Sequence, residues 1–506
     1  MNITFFAPTH SVTGSCTLLE SATTRVLIDC GTVQGDAQQR DFPFDPASID
    51  AVVLTHGHLD HTGRVPELFE KGFRGKVYGQ YATCDIARRI WEDSSSLSQG
   101  GAHDASVYQP ETLRLRQTYA QGERTGGAEF ANDRVSEETL RLRRTYAQGE
   151  RNGDNGFSND KVSEETPRLR QTYALGERNG NAGSSTEGYG YKVPFQIGDI
   201  TFTLYDAGHI MGSSHIAAES KGKRILFSGD IGPLNTPIIR DPFSRWQEPF
   251  DAVVIESTYG DRLHKDRSET VKEFVSIVKR TVKNRGVLLV PAFAVGRTQE
   301  MLYHLNTLVE SGEIPAIPVF VDSPMAGDIT AIYRRYREYY DEEASGKFVT
   351  GDNPLVFKGL NITQSAGLCE SAMSMRPPFI IIAGSGMCSG GRILGHLKTF
   401  LPHDTTTVMI VGYQGRGTLG RELVNGADLV TINGHSVPVR ASIATMGGFS
   451  AHADREGLLN WARAVPGEKI RWFVNHGEEK AARNLAEELY RVGRGEATVA
   501  ENGASF

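Results

Sequence analysis

The chain has 506 residues, 39% of them hydrophobic and 23% charged, and a formal net charge of −7. That length exceeds one ordinary domain of roughly 100–200 residues, so two or more are expected, and no apolar run approaches the roughly 18 residues a membrane helix needs. The acidic balance argues against sequence-independent wrapping of nucleic acid by a uniformly basic surface, but not against an enzyme that grips one or two phosphates locally.

The start, MNITFFAPTHSVTGS, has no basic leader and no continuous apolar stretch before a cleavage site. An export signal is therefore not expected, and a cytoplasmic location is. Cys16, Cys30, Cys84, Cys369 and Cys388 are odd in number, scattered and never spaced CxxC, which predicts neither disulfides nor a thiolate metal site. The opening third reads as strands: ITFFAP, CTLLES, RVLIDCG, then the apolar run AVVLT leading straight into HGHLDH on a predicted loop, with a helix-like VPELFEKG after it. KRILFSGD and DAVVIEST are further buried-strand runs, each finishing in a carboxylate, Asp230 and Glu256, on what should be one rim of a sheet.

Between these parts, ETLRLRQTYAQGER, ETLRLRRTYAQGER and ETPRLRQTYALGERNG begin at Glu111, Glu138 and Glu165, a repeat with a period of 27 residues. The units hold few large apolar side chains, are broken by Gly-Asn-Asp stretches and carry Pro167, so a stacked core is not expected. Balanced basic and acidic residues read as a solvated spacer or short exposed helices, with an RNA-guiding or partner-binding arm as the alternative.

From about Asp266 helix and strand alternate: ETVKEFVSIVKRTVKN, GVLLVPAF, TQEMLYHLNTLVES, IPVFVDS and DITAIYRRYREYYDE. That alternation predicts a parallel α/β unit. It continues through PFIIIAGSG, a helix at GRILGHLKTFL, and TTTVMIVGY, followed by a strand-rich stretch to about Arg440. GGFSAHAD then opens a helix, and RWFVNHGEEKAARNLAEELYRV reads as strand, loop, helix. These last elements carry histidines again, so the final segment is expected to return to the first domain, which makes the α/β unit an insertion.

Imidazole and carboxylate suit zinc, and hydrolytic zinc sites keep one position open for water. His56, His58, Asp60 and His61 are too close in sequence to share one ion comfortably, so two ions are expected. Further ligands are available beside strands: His209 between glycines in YDAGHIMGSSH, Asp230 ending LFSGD, and His476 following WFVN. Singly, such a histidine is more often an ordinary core or surface residue, and a strand-end aspartate usually caps the next element. Jointly they complete two coordination spheres. GSGMCSGGR, after the apolar FIIIA, sets backbone N–H groups of a glycine-rich turn before a helix, which suits a phosphate and makes Ser385, Gly386, Gly390, Gly391 and Arg392 candidate substrate contacts.

These segments together resemble the metallo-β-lactamase-fold nucleases with a β-CASP insertion, which include the nuclease subunit of the eukaryotic cleavage and polyadenylation factor and its bacterial and archaeal relatives. The resemblance spans nearly the whole chain outside the repeats, with motifs in the family's order: Asp29 in LIDCG, HGHLDH, AGHIMGSSH, FSGD, ESTYG, PAFAVGRTQE, VDSPMA, GSGMCSGGR, FSAHAD and NHGE. It implies an α/β fold, a metallo-β-lactamase αββα sandwich with an inserted parallel α/β β-CASP domain. The expected bounds are 1–262 for the first part, holding a repeat-containing insertion at 105–187, then 263–440 for the insertion and 441–506 for the return.

By the same resemblance, two Zn2+ are implied. His56, His58 and His209 would hold the first, Asp60, His61 and His476 the second, and Asp230 would bridge them. Asp29 would support the metal loop. His452 and Glu256 would join Asp60 in catalysis, Glu256 orienting His452 near the scissile phosphate, where a charged histidine can give its proton to the leaving oxygen. The plainer alternative for His452 is a helix-terminal residue satisfied by Asp454. The implied activity is a zinc-dependent ribonuclease acting on single-stranded RNA through a metal-activated hydroxide, as an endonuclease and also from the 5′ end; separately, a homodimer and no membrane association are expected, the latter from the lack of an apolar run. Rival readings are a DNA-directed nuclease of the same superfamily, since such a site does not see the 2′-hydroxyl, and a non-catalytic RNA-binding scaffold. Small-molecule hydrolases of this metal fold lack an insertion of this size.

Overall fold

The computed structural model describes residues 1–6, 12–33, 40–98, 186–363, 374–415 and 417–506. The three repeats lie outside them. No helix among the described residues is long and apolar enough to cross a membrane.

The first sheet runs in chain order through β1 (Asn2–Phe5), β2 (Thr17–Glu20), β3 (Arg25–Ile28), β4 (Ala51–Val53), β5 (Lys76–Gln80) and β6 (Thr186–Tyr189). A second is built from β7 (Phe195–Ile197), β8 (Ile200–Asp206), β9 (Ser214–Ser220), β10 (Lys223–Phe227) and β11 (Ala252–Glu256), extended past β11 by β20 (Arg471–Asn475) and β21 (Ala497–Val499) from the end of the chain. Side chains alternate across a strand, and that period sets the layers. Val26 and Ile28 of β3 and Ile225 and Phe227 of β10 enter one core between the two sheets. Leu27 faces the other way, onto Leu68 of α2 (Val65–Glu70) and Trp91 of α3 (Tyr81–Ser98). Leu226 likewise meets Leu458 and Trp461 of α10 (Arg455–Ala464) and Leu485 of α11 (Glu479–Arg491). The result is helix, sheet, sheet, helix.

A third sheet has the order β14 (Leu360–Ile362), β13 (Val319–Asp322), β15 (Phe379–Ala383), β12 (Val287–Pro291), β16 (Thr406–Ile410), β19 (Ser442–Thr445), all parallel. Its central strands are buried on both faces, as parallel strands covered by helices must be: Leu288 and Ile380 face one core, Leu289 and Ile381 the other. The covering helices are α4 (Arg267–Lys283), α5 (Arg297–Glu310), α6 (Pro324–Arg335) and α8 (Ile393–Phe400). α3 ties the parts together. Its Ile86 and Ile90 join the same core as Ile329 and Tyr333, and Arg335 pairs with Asp85 at 2.8 Å.

Three local expectations change. The helix expected over DITAIYRRYREYYDE starts earlier, at Pro324, because Ser323 caps it, and stops at Arg335; Asp341 then caps a separate α7 (Glu342–Val349). The stretch expected to be strand-rich contains α9 (Leu419–Val424), started by Thr418 accepting from the Arg421 N–H, before the hairpin of β17 (Leu429–Ile432) and β18 (His435–Pro438). The second half of HGHLDH is a helical turn, α1 (Leu59–Thr62), since Thr62 and Gly63 close back on the carbonyls of His58 and Leu59.

Candidate active site

Strand register delivers the side chains. In β11 and β20, Glu256 lies opposite Asn475, so His476 emerges one residue beyond the strand next to Glu256. Asp230 follows β10, and Asp29 and Thr55 follow the paired ends of β3 and β4. Asp29, at φ 62, accepts from the Thr55 N–H and hydroxyl, both at 2.8 Å, and from His61 Nδ1 at 2.7 Å. That last bond puts the proton on Nδ1 and turns Nε2 toward the centre, 3.2 Å from Nε2 of His476. Gly31 permits the close passage: a Cβ there would sit 1.6 Å from the Asp60 carbonyl oxygen.

His56 Nε2 lies 3.0 Å from His58 Nδ1, and His209 Nε2 lies 3.1 Å from the same atom. Nδ1 of His209 donates to the carbonyl of Ala451 at 2.8 Å, fixing which nitrogen faces inward. Asp230, 2% exposed, sits between the two groups, with Oδ2 3.5 Å from both His56 and His209 and Oδ1 3.4 Å from His61 and 3.5 Å from His476. Asp60 Oδ2 is 3.9 Å from His476. Two sets therefore converge, His56, His58, His209 and Asp230 in one and Asp60, His61 and His476 in the other, each with its ligand atoms within 4.8 Å of one another.

Burial, aided by neighbouring imidazoles, holds His56 and His209 well below the usual histidine range, and burial lowers His58 too. These rings are neutral, with lone pairs available. Burial works against the charge on Asp230, but the surrounding histidines overcome it and keep the carboxyl far below the usual carboxylate range. The same contest takes Asp60 down to about 2, while Asp230 and Asp29 outweigh burial at His61 and push it up to about 10. Asp230 Oδ1 is buried with no hydrogen-bond partner among the described residues. Ring nitrogens facing one another around an orphaned carboxylate oxygen is an arrangement that a divalent cation resolves. The residues present fit a metal centre.

A third group lies alongside, made of Asp230, Glu256 and His452. His452 Nδ1 is 3.2 Å from both Glu256 oxygens, and the carboxylate also accepts from the Ile231 N–H at 2.6 Å and the Thr258 N–H at 3.3 Å. Burial opposes a charge on His452, but Glu256 and Asp230 outweigh it and push it up to about 9. Asp454 does not satisfy this ring: it caps α10 through the Gly457 N–H and accepts from the His264 N–H. Three supports had no advance signal in the sequence: the Ala451 carbonyl, His264, whose ring contacts the His452 carbonyl at 3.0 Å, and Thr258, 3.3 Å from His476 Nδ1.

Comparison with known proteins matches this layout. The metallo-β-lactamase superfamily matches residues 12–143, the Beta-Casp domain 298–423, and a Zn-dependent metallo-hydrolase RNA specificity domain 436–500. Ribonuclease TTHA0252 of Thermus thermophilus is 34% identical over 95% of this chain and 94% of its own. The chain belongs to the β-CASP family of metallo-β-lactamase-fold hydrolases. Other relatives are an RNase J-like protein of Methanocaldococcus jannaschii, 27% identical over 94% of this chain and 93% of its own, and transcription termination factor FttA of that organism, 27% identical over 97% and 69%. A solved protein of unknown function from Enterococcus faecalis V583 aligns over 100% of this chain and 99% of its own with a TM-score of 0.52 and 10% identity, a likeness of fold alone.

In the β-CASP part the glycine-rich loop is largely closed on itself. The Ser385 N–H donates to Gly390 O at 3.2 Å, the Ser389 N–H to Ser385 Oγ at 2.9 Å, and the Ile393 N–H to Gly384 O at 3.0 Å. Gly391, at φ +73, packs where a Cβ would lie 2.5 Å from Gly384 O, and a Cβ on Gly386 would meet the Phe293 ring. Arg392, expected as a phosphate clamp, instead directs Nη1 at Asp322, 2.6 Å away, beside His396 at 2.8 Å from the same carboxylate. The sequence signal for a phosphate loop is here also the signal for a tight strand-to-helix turn.

Proposed function

We infer that this chain is a metal-dependent ribonuclease, using two zinc ions and single-stranded RNA as substrate, cutting internally and also working from the 5′ end. The observation that carries the reading is Asp230, buried between two three-residue ligand groups and next to the His452–Glu256 pair. We assign His56, His58 and His209 to one ion, Asp60, His61 and His476 to the other, and Asp230 to both. Bound there, two zinc ions supply Lewis acidity to a phosphodiester and bring a water's pKa toward neutrality.

The chain's own residues do the rest. Asp29 and the Ala451 carbonyl accept from Nδ1 of His61 and His209 and so turn Nε2 of each ring inward. Glu256, anchored by two backbone N–H groups, accepts a hydrogen bond from His452 Nδ1–H and keeps the ring charged, so that the imidazolium can give its Nε2 proton to the leaving oxygen. The His452 ring is 21% exposed and thus open to substrate on one side. Substrate contact is further proposed for Ser385, Gly386, Gly390, Gly391 and Arg392, with the Asp322 pair orienting a guanidinium that is 31% exposed. Of the proposed domain bounds 1–262, 263–440 and 441–506, the return of the chain is supported by β20 lying against β11, while β19 (Ser442–Thr445) still pairs with β16 of the third sheet.

Support for RNA over DNA comes from relatives named as ribonucleases and from the match to an RNA specificity domain. A cytoplasmic homodimer completes the reading, and sedimentation of the purified chain checks the dimer. Function is tested by incubating zinc-loaded protein with end-labelled single-stranded RNA and matched DNA and mapping the product ends. Internal RNA products with slower DNA cleavage support the reading, and DNA cut faster than RNA overturns it.

A further inference from the structure

Beyond the metal centre, Arg262 and Glu478 from the lactamase part and Tyr413, Gly417, Arg421 and Asn425 from the β-CASP part line a pocket of about 440 Å³. That volume falls within the ~300–1,000 Å³ of ligand sites. The Tyr413 hydroxyl donates to Glu478 Oε1 at 2.7 Å, which pins the ring across the seam. Arg421 lies with Cζ 5.8 Å from that ring's centre, and its buried Nε has no hydrogen-bond partner among the described residues. Arg421 is thus under-satisfied at Nε, and as a pocket-lining guanidinium its outer N–H groups suit an anionic oxygen.

The pocket also begins where the candidate active site ends. Glu478 follows His476 by two residues. Arg262 has Cζ 5.6 Å from the Tyr259 ring centre, and that ring lies 6.2 Å from His452. Asp261 holds Arg262 Nε at 2.7 Å, orienting the guanidinium. The Tyr413–Arg421 stretch is tied to the glycine-rich loop: Gln414 donates to Gly386 O at 2.9 Å and the Gly420 N–H to Met387 O at 3.2 Å.

We propose that this pocket holds one nucleotide of the RNA strand beside the scissile phosphate, with Arg262 and Arg421 on its phosphate, the base against Tyr413, and Asn425 and Glu478 as a polar edge. The occupant rests on the ribonuclease reading above. Arg262, Arg421 and Lys480 against Glu478 and Asp261 leave the pocket and its rim positive by one charge, and an aromatic face beside them is the usual pairing for a single strand, in which base stacking and phosphate contacts combine.

The test uses a 3′-fluorescein-labelled single-stranded decaribonucleotide. Its binding is read by anisotropy in a His452→Ala background that suppresses turnover, and KM and kcat are read in the otherwise wild-type zinc enzyme. Arg421→Ala should raise Kd and KM about tenfold, affect kcat less, and lower the slope of log Kd against log salt by ~0.7, the value for one released phosphate contact on a single strand. Arg421→Lys should restore the slope, Tyr413→Ala should weaken binding with the slope kept, and Tyr413→Phe should retain most of it. Arg463→Ala, on the exposed face of α10 away from the pocket, controls for lost charge. Unchanged Kd and slope in Arg421→Ala, or an equal change in Arg463→Ala, overturns the subsite. Absence of RNA cleavage by the wild-type enzyme would instead overturn the function while leaving the binding result readable.

Discussion

Removing the Asp29 carboxylate should weaken one metal position far more than the other. Asp29→Ala strips acceptors from three buried donors, the Thr55 N–H, the Thr55 hydroxyl and His61 Nδ1, now at 2.8, 2.8 and 2.7 Å. His61 then loses the bond that turns Nε2 inward, a loss that typically costs 10–100-fold in metal affinity, or about 1.4–2.7 kcal/mol. Alanine at φ 62 adds about 1 kcal/mol of backbone strain, which lowers the melting temperature as well. Asparagine tolerates that φ and keeps one acceptor oxygen, so Asp29→Asn should fall between alanine and wild type. Titration with zinc against a chromophoric chelator resolves the two binding steps: one step should move by that factor and the other much less, because Asp29 bonds His61 directly and reaches the His56, His58 and His209 group only through the Thr55 hydroxyl, 3.1 Å from His56 Nδ1. Equal weakening of both steps, or no weakening of either, would refute the assignment of Asp29 to His61.

Asp230→Ala and His58→Ala should each abolish RNA cleavage and lower bound zinc, measured by elemental analysis of the same samples assayed for activity; full activity in either removes it from the ligand set. His452→Ala should keep its zinc and lose roughly 10²–10⁴ in rate, whereas wild-type turnover would exclude a proton-donating role. His215 offers a pH test away from the ligands. Its ring is fully buried between the Ser228 carbonyl and the Trp461 N–H, and burial lowers its pKa from 6.5 to about 4 despite the Ser228 bond. Below pH 6.5 the unfolded chain takes up a proton that the folded one refuses, so stability is full above that pH and falls as pH drops toward 4, by about 3 kcal/mol at an order of magnitude. Urea midpoints at pH 7.5 and 4.5 should differ by less in His215→Gln than in wild type, and identical pH slopes would contradict this.

Apolar runs ending in chemistry were the readable part of the sequence. AVV before HGHLDH, KRILF before Asp230 and RWFVN before His476 are strands whose ends carry the side chains to one rim, and the structure brings all of them together there. Features made by tertiary contact were not readable. The Ala451 carbonyl has no side-chain identity to betray it, and the turn α1 is too short for any period to show. The sequence also does not disclose that Asp322, on another strand, lies 2.6 Å from Arg392 Nη1 and orients it. The Tyr413–Arg421 pocket is assembled from three separate stretches, none distinctive alone. Helix α9 was missed because six residues between glycines give too little pattern against the strand-like VTI that follows.

Metal stoichiometry bears most directly on the claim that two ligand groups share Asp230. After zinc saturation and desalting, the wild-type chain should retain two zinc ions per protein molecule, and Asp230→Ala should retain fewer at both positions. A wild-type value of one or none, or an Asp230→Ala protein that still holds two, would contradict it.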